Sequence, residues 1–198
     1  MGGIAGLILA AGESRRMGKP KALLEIGGET FLDRLIRVMG ESCSPVIVVL
    51  GHEAQRIRSA LNQAGTAAFV PNQDYGRGQL SSLQCGLAAV PSEAEGVLFT
   101  LVDRPFVEPS TIARIRERFQ ERVPPEVLVV PRVGLRHGHP VCLARELIPE
   151  FLSLPPEAQA RDVIHRHAGE TAYVDVEDTG TLADVNDPED YQRLVGRE

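Results

Sequence analysis

The stretch LILAAGESRRMGKPKALL, residues 7–24, decides the reading of the chain. An apolar run over residues 4–9 leads into it and stops at Ala10-Ala11-Gly12. A short continuous apolar run bounded by small residues predicts a strand buried on both faces, followed by a loop. Ala10, Ala11 and Gly12 let a ligand come close to the backbone. Ser14 adds a hydroxyl, and Arg15, Arg16, Lys19 and Lys21 place four cations against the single Glu13. Small residues and guanidinium or ammonium groups at the end of a buried strand suit phosphate oxygens; the plainer alternative is a solvated basic loop. Two familiar phosphate motifs are absent. Five residues separate Gly12 from Gly18, where a Walker loop has four, and Pro20 follows Lys19. No GxGxxG is present.

Downstream, the pattern alternates. Helices are expected over 31–39, opened by Thr30, and over 53–63, closed by Gly65. A third should run through Leu83, Leu87 and Ala88, preceded by Ser81 and Ser82, and a fourth to Arg122, capped by Ser110. Strands are expected over 46–50, 67–70 and 97–102, the last ending at Asp103. Strands joined by helices of about ten residues imply parallel β-α-β crossovers. Beyond residue 130 the alternation loosens: strands over 127–130, 141–143 and 171–176, short helices over 145–151 and 161–167, and a last helix begun by Asp187-Pro188-Glu189. The expectation is one α/β domain over 1–198, a three-layer α/β/α Rossmann-like fold with a mostly parallel, mixed sheet. Ligands on such sheets bind beyond the carboxyl ends of the strands. The loops after Leu9, Val70 and Val102 are therefore the places for a site.

Composition sets the frame. The chain has 198 residues, 43% hydrophobic and 24% charged, with aromatics at 5% and no Trp. That is enough for a sizeable aliphatic core. Net charge is −6, which argues against a nucleic-acid binder but not against a small anion, which responds to the local field. The acidity is concentrated: residues 170–198 carry −7 and residues 1–169 carry +1. Cys43, Cys85 and Cys142 are dispersed, without zinc spacing, and read as reduced thiols of a cytoplasmic protein. The first ten residues lack a basic start, and charge follows soon after, so a buried strand accounts for them better than a signal peptide or membrane span.

The quoted loop resembles LAAGxSxRMGxPKxLL, the signature of MobA-like nucleotidyltransferases, and in particular their molybdenum cofactor cytidylyltransferase branch. The resemblance extends in order through most of the chain. It implies a Rossmann-like nucleotidyltransferase fold and a loop that wraps the triphosphate of an NTP. Arg16 and Lys21 would contact phosphates, while Leu9, Ala10, Ala11, Gly12 and Ser14 would line the nucleotide. Arg15 falls at a variable position. Ala11 gives LAAG rather than the LAGG of the guanylyl branch, which points to CTP. Asp103, in LVDRP, matches the metal-binding Asp of the family, although a turn-forming role before Pro105 would suit its spacing alone. Arg104 stands where Gln or Met is common. The segment LADVNDPEDY (182–191) resembles the family's D-x-D-T-P-E-D-L and places Asn186 at a ligating position. Asp184, two residues earlier, would share one side of an extended segment. Asp187, Glu189 and Asp190 suit the N-terminus of a helix. Mg²⁺, with Mn²⁺ as an alternative, is the implied cofactor. Pro71, Asn72, Ser81 and Ser82 match the region near the base and ribose, and the two serines equally suit caps. RHGHPV (136–141) resembles R-G-H-P-V on the acceptor side, which carries over His139 and Pro140. His165 and His167 read as surface residues.

The implied reaction is transfer of CMP from CTP to the phosphate of molybdopterin, with pyrophosphate released and a molybdoenzyme downstream. Relatives with GTP, or with sugar or alditol phosphates as acceptors, keep the chemistry and change the substrate. A non-catalytic cofactor chaperone is a different class, which retention of both the loop and Asp103 disfavours. A nicotinamide-dependent oxidoreductase is disfavoured by the missing GxGxxG. Neither nucleic acid nor a membrane is an expected partner.

Overall fold

A computed structural model describes residues 3–196. Arg197 and Glu198 of the acidic tail, and Met1 and Gly2 of the apolar start, lie outside the described residues. In chain order the strands are β1 (Ile4–Ala10), β2 (Glu25–Ile26), β3 (Glu29–Thr30), β4 (Val46–Leu50), β5 (Ala68–Pro71), β6 (Gly96–Leu101), β7 (Leu128–Val133), β8 (Arg136–His137), β9 (Val141–Ala144) and β10 (Thr171–Asp175). The helices are α1 (Phe31–Gly40), α2 (Ala54–Ala60), α3 (Gln79–Ala88), α4 (Pro109–Gln120), α5 (Ile148–Leu152), α6 (Ala160–Arg166) and α7 (Pro188–Val195).

The main sheet runs β10-β7-β9-β6-β1-β4-β5, with β8 paired to β7. Strands β6, β1, β4 and β5 are mutually parallel, with Leu7 opposite both Ile47 and Phe99. Strand β9 is antiparallel to β6 and to β7, and β10 is parallel to β7. The loosened alternation after residue 130 thus corresponds to the mixed half. β1 is buried at every residue, as a central parallel strand covered on both sides must be. Neighbouring residues of a strand face opposite sides, and two of them locate the helix layers. A Cβ at Gly6 would lie 3.1 Å from Met39 of α1, whereas the side chain of Leu7 abuts Gly86 of α3. Helices therefore cover both faces. The core is mainly aliphatic, although Phe31, Phe99, Phe119 and Phe151 are among its largest fully buried side chains.

Several local expectations shift. Helix α2 stops at Ala60, short of Gln63: Leu61 is already extended (φ −85°, ψ 139°), and beyond it the Gln63 amide donates to Asp33 Oδ1 at 2.7 Å. Helix α3 starts at Gln79 after Gly78 (φ 100°), so Ser81 and Ser82 lie within the helix and do not precede it. Helix α4 begins at Pro109 with Glu108 at the cap, and the Ser110 hydroxyl donates to Glu108 instead of capping. Thr30 does cap α1, accepting from the Asp33 amide. Asp187 caps α7, accepting from the Glu189 and Asp190 amides. Among the described residues, no helix is long and apolar enough to cross a membrane.

Candidate active site

The loop after β1 folds over itself. Ser14 adopts a left-handed backbone (φ 54°), its carbonyl accepts from the Met17 and Gly18 amides, and its Oγ accepts from the Lys21 amide at 3.1 Å. The Ser14 side chain therefore shapes the loop from within. Met17 is buried with Leu24, Ile26, Phe31 and Val185 in a small second core. Val185 lies between Asp184 and Asn186, and its amide donates to the Asp103 carbonyl at 2.9 Å. Burial of this one valine thus draws the 184–186 segment to the loop and to the end of β6.

The result is one open cavity of about 360 Å³ at the carboxyl ends of the parallel strands. Its walls include Leu9, Ala11, Gly12, Ser14, Arg16, Lys21, Ser82, Asp103 and Asn186. Lys21 Nζ lies 3.0 Å from Asp103 Oδ2, and both side chains are largely buried. Arg16 donates to Asn186 Oδ1 at 3.4 Å, and Asn186 Nδ2 donates to Asp184 at 2.8 Å. Gly12 faces open space: a Cβ there would meet nothing within 4 Å. Arg15 reaches the cavity but pairs with Glu13.

Other expected residues are placed apart. Ala10 is a buried terminal residue of β1. Pro71, Asn72 and Ser81 line a separate cavity of about 340 Å³. Asn72 is buried and fully engaged: it donates to Ser81 and Ser82 at 3.0 and 3.1 Å, and its oxygen accepts from the Asp74 amide at 2.9 Å. Ser81 in turn donates to the Asp74 and Gly78 carbonyls. These side chains brace the loop before α3. His139 lines a third cavity, and burial, with the Arg104 charge as the second cause, pushes its pKa down to about 4. His167 is not a free surface residue. It sits between Glu170 and Glu150, 2.7 Å from each, and those hydrogen bonds raise its pKa. The acidic tail is largely structural: Asp175 pairs with Arg132, Asp178 and Asp187 cap turns and helices, and Asp190 pairs with Arg193. Burial pushes the Cys43 thiol up to about 12 and raises that of Cys142, as suits inert core thiols.

Tyr75, Gly78 and Gln79 also line the first cavity, and sequence reasoning passed over them. Their loop was marked as a place for a site, yet none carries a charge that would single it out. Gly51 shows why Tyr75 lands there: a Cβ at 51 would lie 2.6 Å from Tyr75 and 2.7 Å from the Ala11 carbonyl, so the loops after β1, β4 and β5 are in contact.

The site's donors suit a divalent cation. Asp103 Oδ1 is buried without a hydrogen-bond partner, and Asp103 Oδ2 and Asn186 Oδ1 are engaged by cationic side chains that a metal could displace. One carboxylate, an amide oxygen and a nearby second carboxylate match Mg²⁺ or Mn²⁺, which complete their shells with substrate oxygens and water. Among the described residues, no cluster of three or more acidic, His or Cys side chains forms a self-sufficient metal cage.

An α/β sheet with a cationic loop and a carboxylate at the ends of its parallel strands defines a nucleotide-handling enzyme of the nucleotidyltransferase fold. The chain belongs to the MobA-like NTP transferase domain family, whose pattern matches residues 6–171. That span includes the basic loop after β1 and Asp103 but ends before Asp184 and Asn186. The chain is 32% identical to nicotine blue oxidoreductase of Paenarthrobacter nicotinovorans, over 97% of this chain and 96% of that protein. It is 26% identical to molybdenum cofactor cytidylyltransferase of Escherichia coli K12, over 96% and 95%. Among solved structures, Rv0371c from Mycobacterium tuberculosis H37Rv superposes with a TM-score of 0.84 at 29% identity, covering 98% of each chain. Rv0371c has also been solved in complex with manganese, which superposes at 0.76 and 28% identity over 98% of each chain.

Proposed function

We propose that the chain, as one domain over 1–198, transfers CMP from CTP to the phosphate of molybdopterin and releases pyrophosphate. The observation that carries this is the Lys21–Asp103 pair beside an open, cationic loop at the end of β1. Lys21 and Arg16 would bind the triphosphate, and the backbone around Gly12 would pass close to it. An acceptor phosphate is already ionised, so in-line attack of its oxygen on the α-phosphorus needs no strong general base. Catalysis then rests on positioning and charge neutralisation. Asp103, with Asn186 and Asp184, would hold Mg²⁺ or Mn²⁺, which when bound supplies countercharge for the phosphates. Support for the cytidylyl assignment comes from Ala11 in the loop and from the Escherichia coli relative.

A second reading, redox chemistry, is favoured by the nearly full-length likeness to nicotine blue oxidoreductase. The absence of GxGxxG weighs less against it in that light, because the relative shares this family. One experiment separates the two. Each of the four NTPs is incubated with Mg²⁺ or Mn²⁺ and molybdopterin, pyrophosphate is quantified, and a parallel arm follows NADH and NADPH absorbance with a quinonoid dye added as the two-electron acceptor. The expected result is pyrophosphate release with CTP. Oxidation of a reduced nicotinamide without pyrophosphate from any NTP would overturn the transferase proposal.

A further inference from the structure

One large apolar side chain stands almost wholly in water. Leu135 is 93% exposed, the highest value of any large hydrophobic among the described residues. It sits at the tip of the β7–β8 hairpin, where Arg132 faces His137 and Val133 faces Arg136. Only Gly134 and Leu135 join the two strands, and Gly134 takes the positive φ (59°) that so tight a turn needs. The turn therefore holds Leu135 outward. Arg136 beside it is exposed and forms no ion pair among the described residues. A groove of about 510 Å³ lies next to this knob. Half-buried Phe106, Ala183 and Leu194 give it apolar walls, and Glu108, Glu177 and Asp178 make the rest acidic. No cation lines it. An adjoining cavity shares the three acids and adds Asp175 and Arg114, and Asp175 is already paired with Arg132. Glu177 is exposed and forms no ion pair among the described residues. Knob and groove spring from the same place. The Val176 amide, just before Glu177, donates to the Arg132 carbonyl at 2.9 Å, and the hairpin turn begins directly after Val133.

We propose that this face joins two copies of the chain about a two-fold axis, with Leu135 of each copy seated in the groove of the other. A two-fold contact uses the same patch on both subunits, so the patch must be complementary to itself. An apolar knob beside an apolar-walled groove, and an unpaired Arg beside unpaired acids, meet that condition. Leu135 leaves water for the walls formed by Phe106, Ala183 and Leu194, while Arg136 of each copy meets Glu177 of the other. Charge selects this occupant. The chain carries −6 overall, so two copies attract only where a local cation faces the acidic groove. The contact holds whichever reaction the site performs, since none of these residues lines the first cavity.

Sedimentation velocity of the full chain over a concentration series is the test. The wild type should pass from one chain to two as concentration rises and stop there, because a two-fold contact closes on itself. Leu135→Ser should raise the dissociation constant about tenfold or more, the effect of losing one buried leucine. Arg136→Glu and Glu177→Arg should each weaken the dimer, since like charges then face each other at both contacts. An equal mixture of these two variants should restore it. In the mixed dimer every Arg again faces a Glu, at position 136 or 177. All three positions are exposed, so the variants should fold as the wild type does, which circular dichroism melts check. A wild type that stays a single chain at every concentration would overturn the proposal and leave the groove to a different protein. So would a dimer indifferent to Leu135→Ser, a variant mixture that stays dissociated, or growth beyond two chains.

Discussion

Replacing Asp103 by alanine should silence the enzyme without unfolding it, and the structure sets the scale of both effects. Lys21 and Asp103 retain 12% and 22% side-chain exposure. Their pair lies between exposed pairs, worth about 0–1 kcal/mol, and buried pairs, whose disruption from one side costs about 3–5 kcal/mol. A loss of roughly 2–3 kcal/mol follows. Against it stands the unpartnered Asp103 Oδ1, whose removal relieves about 1–3 kcal/mol. The net effect runs from a gain of about 1 to a cost of about 2 kcal/mol, small beside the roughly 5–15 kcal/mol of an ordinary domain. At about 2–4 °C per kcal/mol for a chain of this size, the thermal midpoint should fall by no more than about 8 °C. Turnover should drop by about 10²–10³ or more, the loss typical of removing one preorganised electrostatic group. Asp103→Asn keeps the shape, removes the charge, and should be as inactive as the alanine variant. Circular dichroism melts and pyrophosphate release from CTP with Mg²⁺ and acceptor read the two quantities. Near wild-type pyrophosphate release by either folded variant would refute the role assigned to this carboxylate.

Two further outcomes follow from packing and charge. Gly96→Ala should cost about 1–3 kcal/mol, because its Cβ would lie 2.4 Å from Phe119 Cζ and 2.9 Å from the Leu143 carbonyl oxygen. Gly76→Ala, whose Cβ meets nothing within 4 Å, should leave the melting midpoint nearly unchanged; equal midpoints for both variants would contradict the packing. His167 has its pKa raised above 6.5 by Glu170 first and Glu150 second. Its stabilisation is therefore complete below pH 6.5 and fades as pH rises through the raised value. Glu150, lowered below 4.5 chiefly by the hydrogen bond to His167, adds stability above pH 4.5 that is lost as pH falls through its lowered value. The midpoint gap between wild type and His167→Gln should be widest near pH 5.5–6 and narrow toward pH 9. A gap that does not vary with pH would show that the two hydrogen bonds carry no charge contribution.

The parallel half of the sheet was legible because its signals are local. Continuous apolar runs such as 46–50 bury both faces, and small residues or Asp103 end them. The limits of α2 and α3 were not legible. One helix ends at an extended Leu61, after which Gln63 bonds to Asp33, thirty positions earlier, and Gly78 displaces the start of the other. A loop of small residues and cations after β1 could be read from residues 7–24 alone. The split between Ser82 in the first cavity and Ser81 with Asn72 in the second could not, since it depends on which way adjacent helical residues face.

By itself the sequence determined a buried β1, a cationic loop at its end, an acidic residue closing β6 and a family signature joining them. All of these are properties of neighbours along the chain. Only the tertiary structure decided that Lys21 meets Asp103 across 82 positions and that Arg16 meets Asn186 across 170. It also decided that most of the tail's acids are spent on caps and pairs, and that Arg104 and His137 face a cavity of their own. Strand order and the burial of Val185 set these meetings, and no local pattern of residues encodes which distant strand end will lie alongside another.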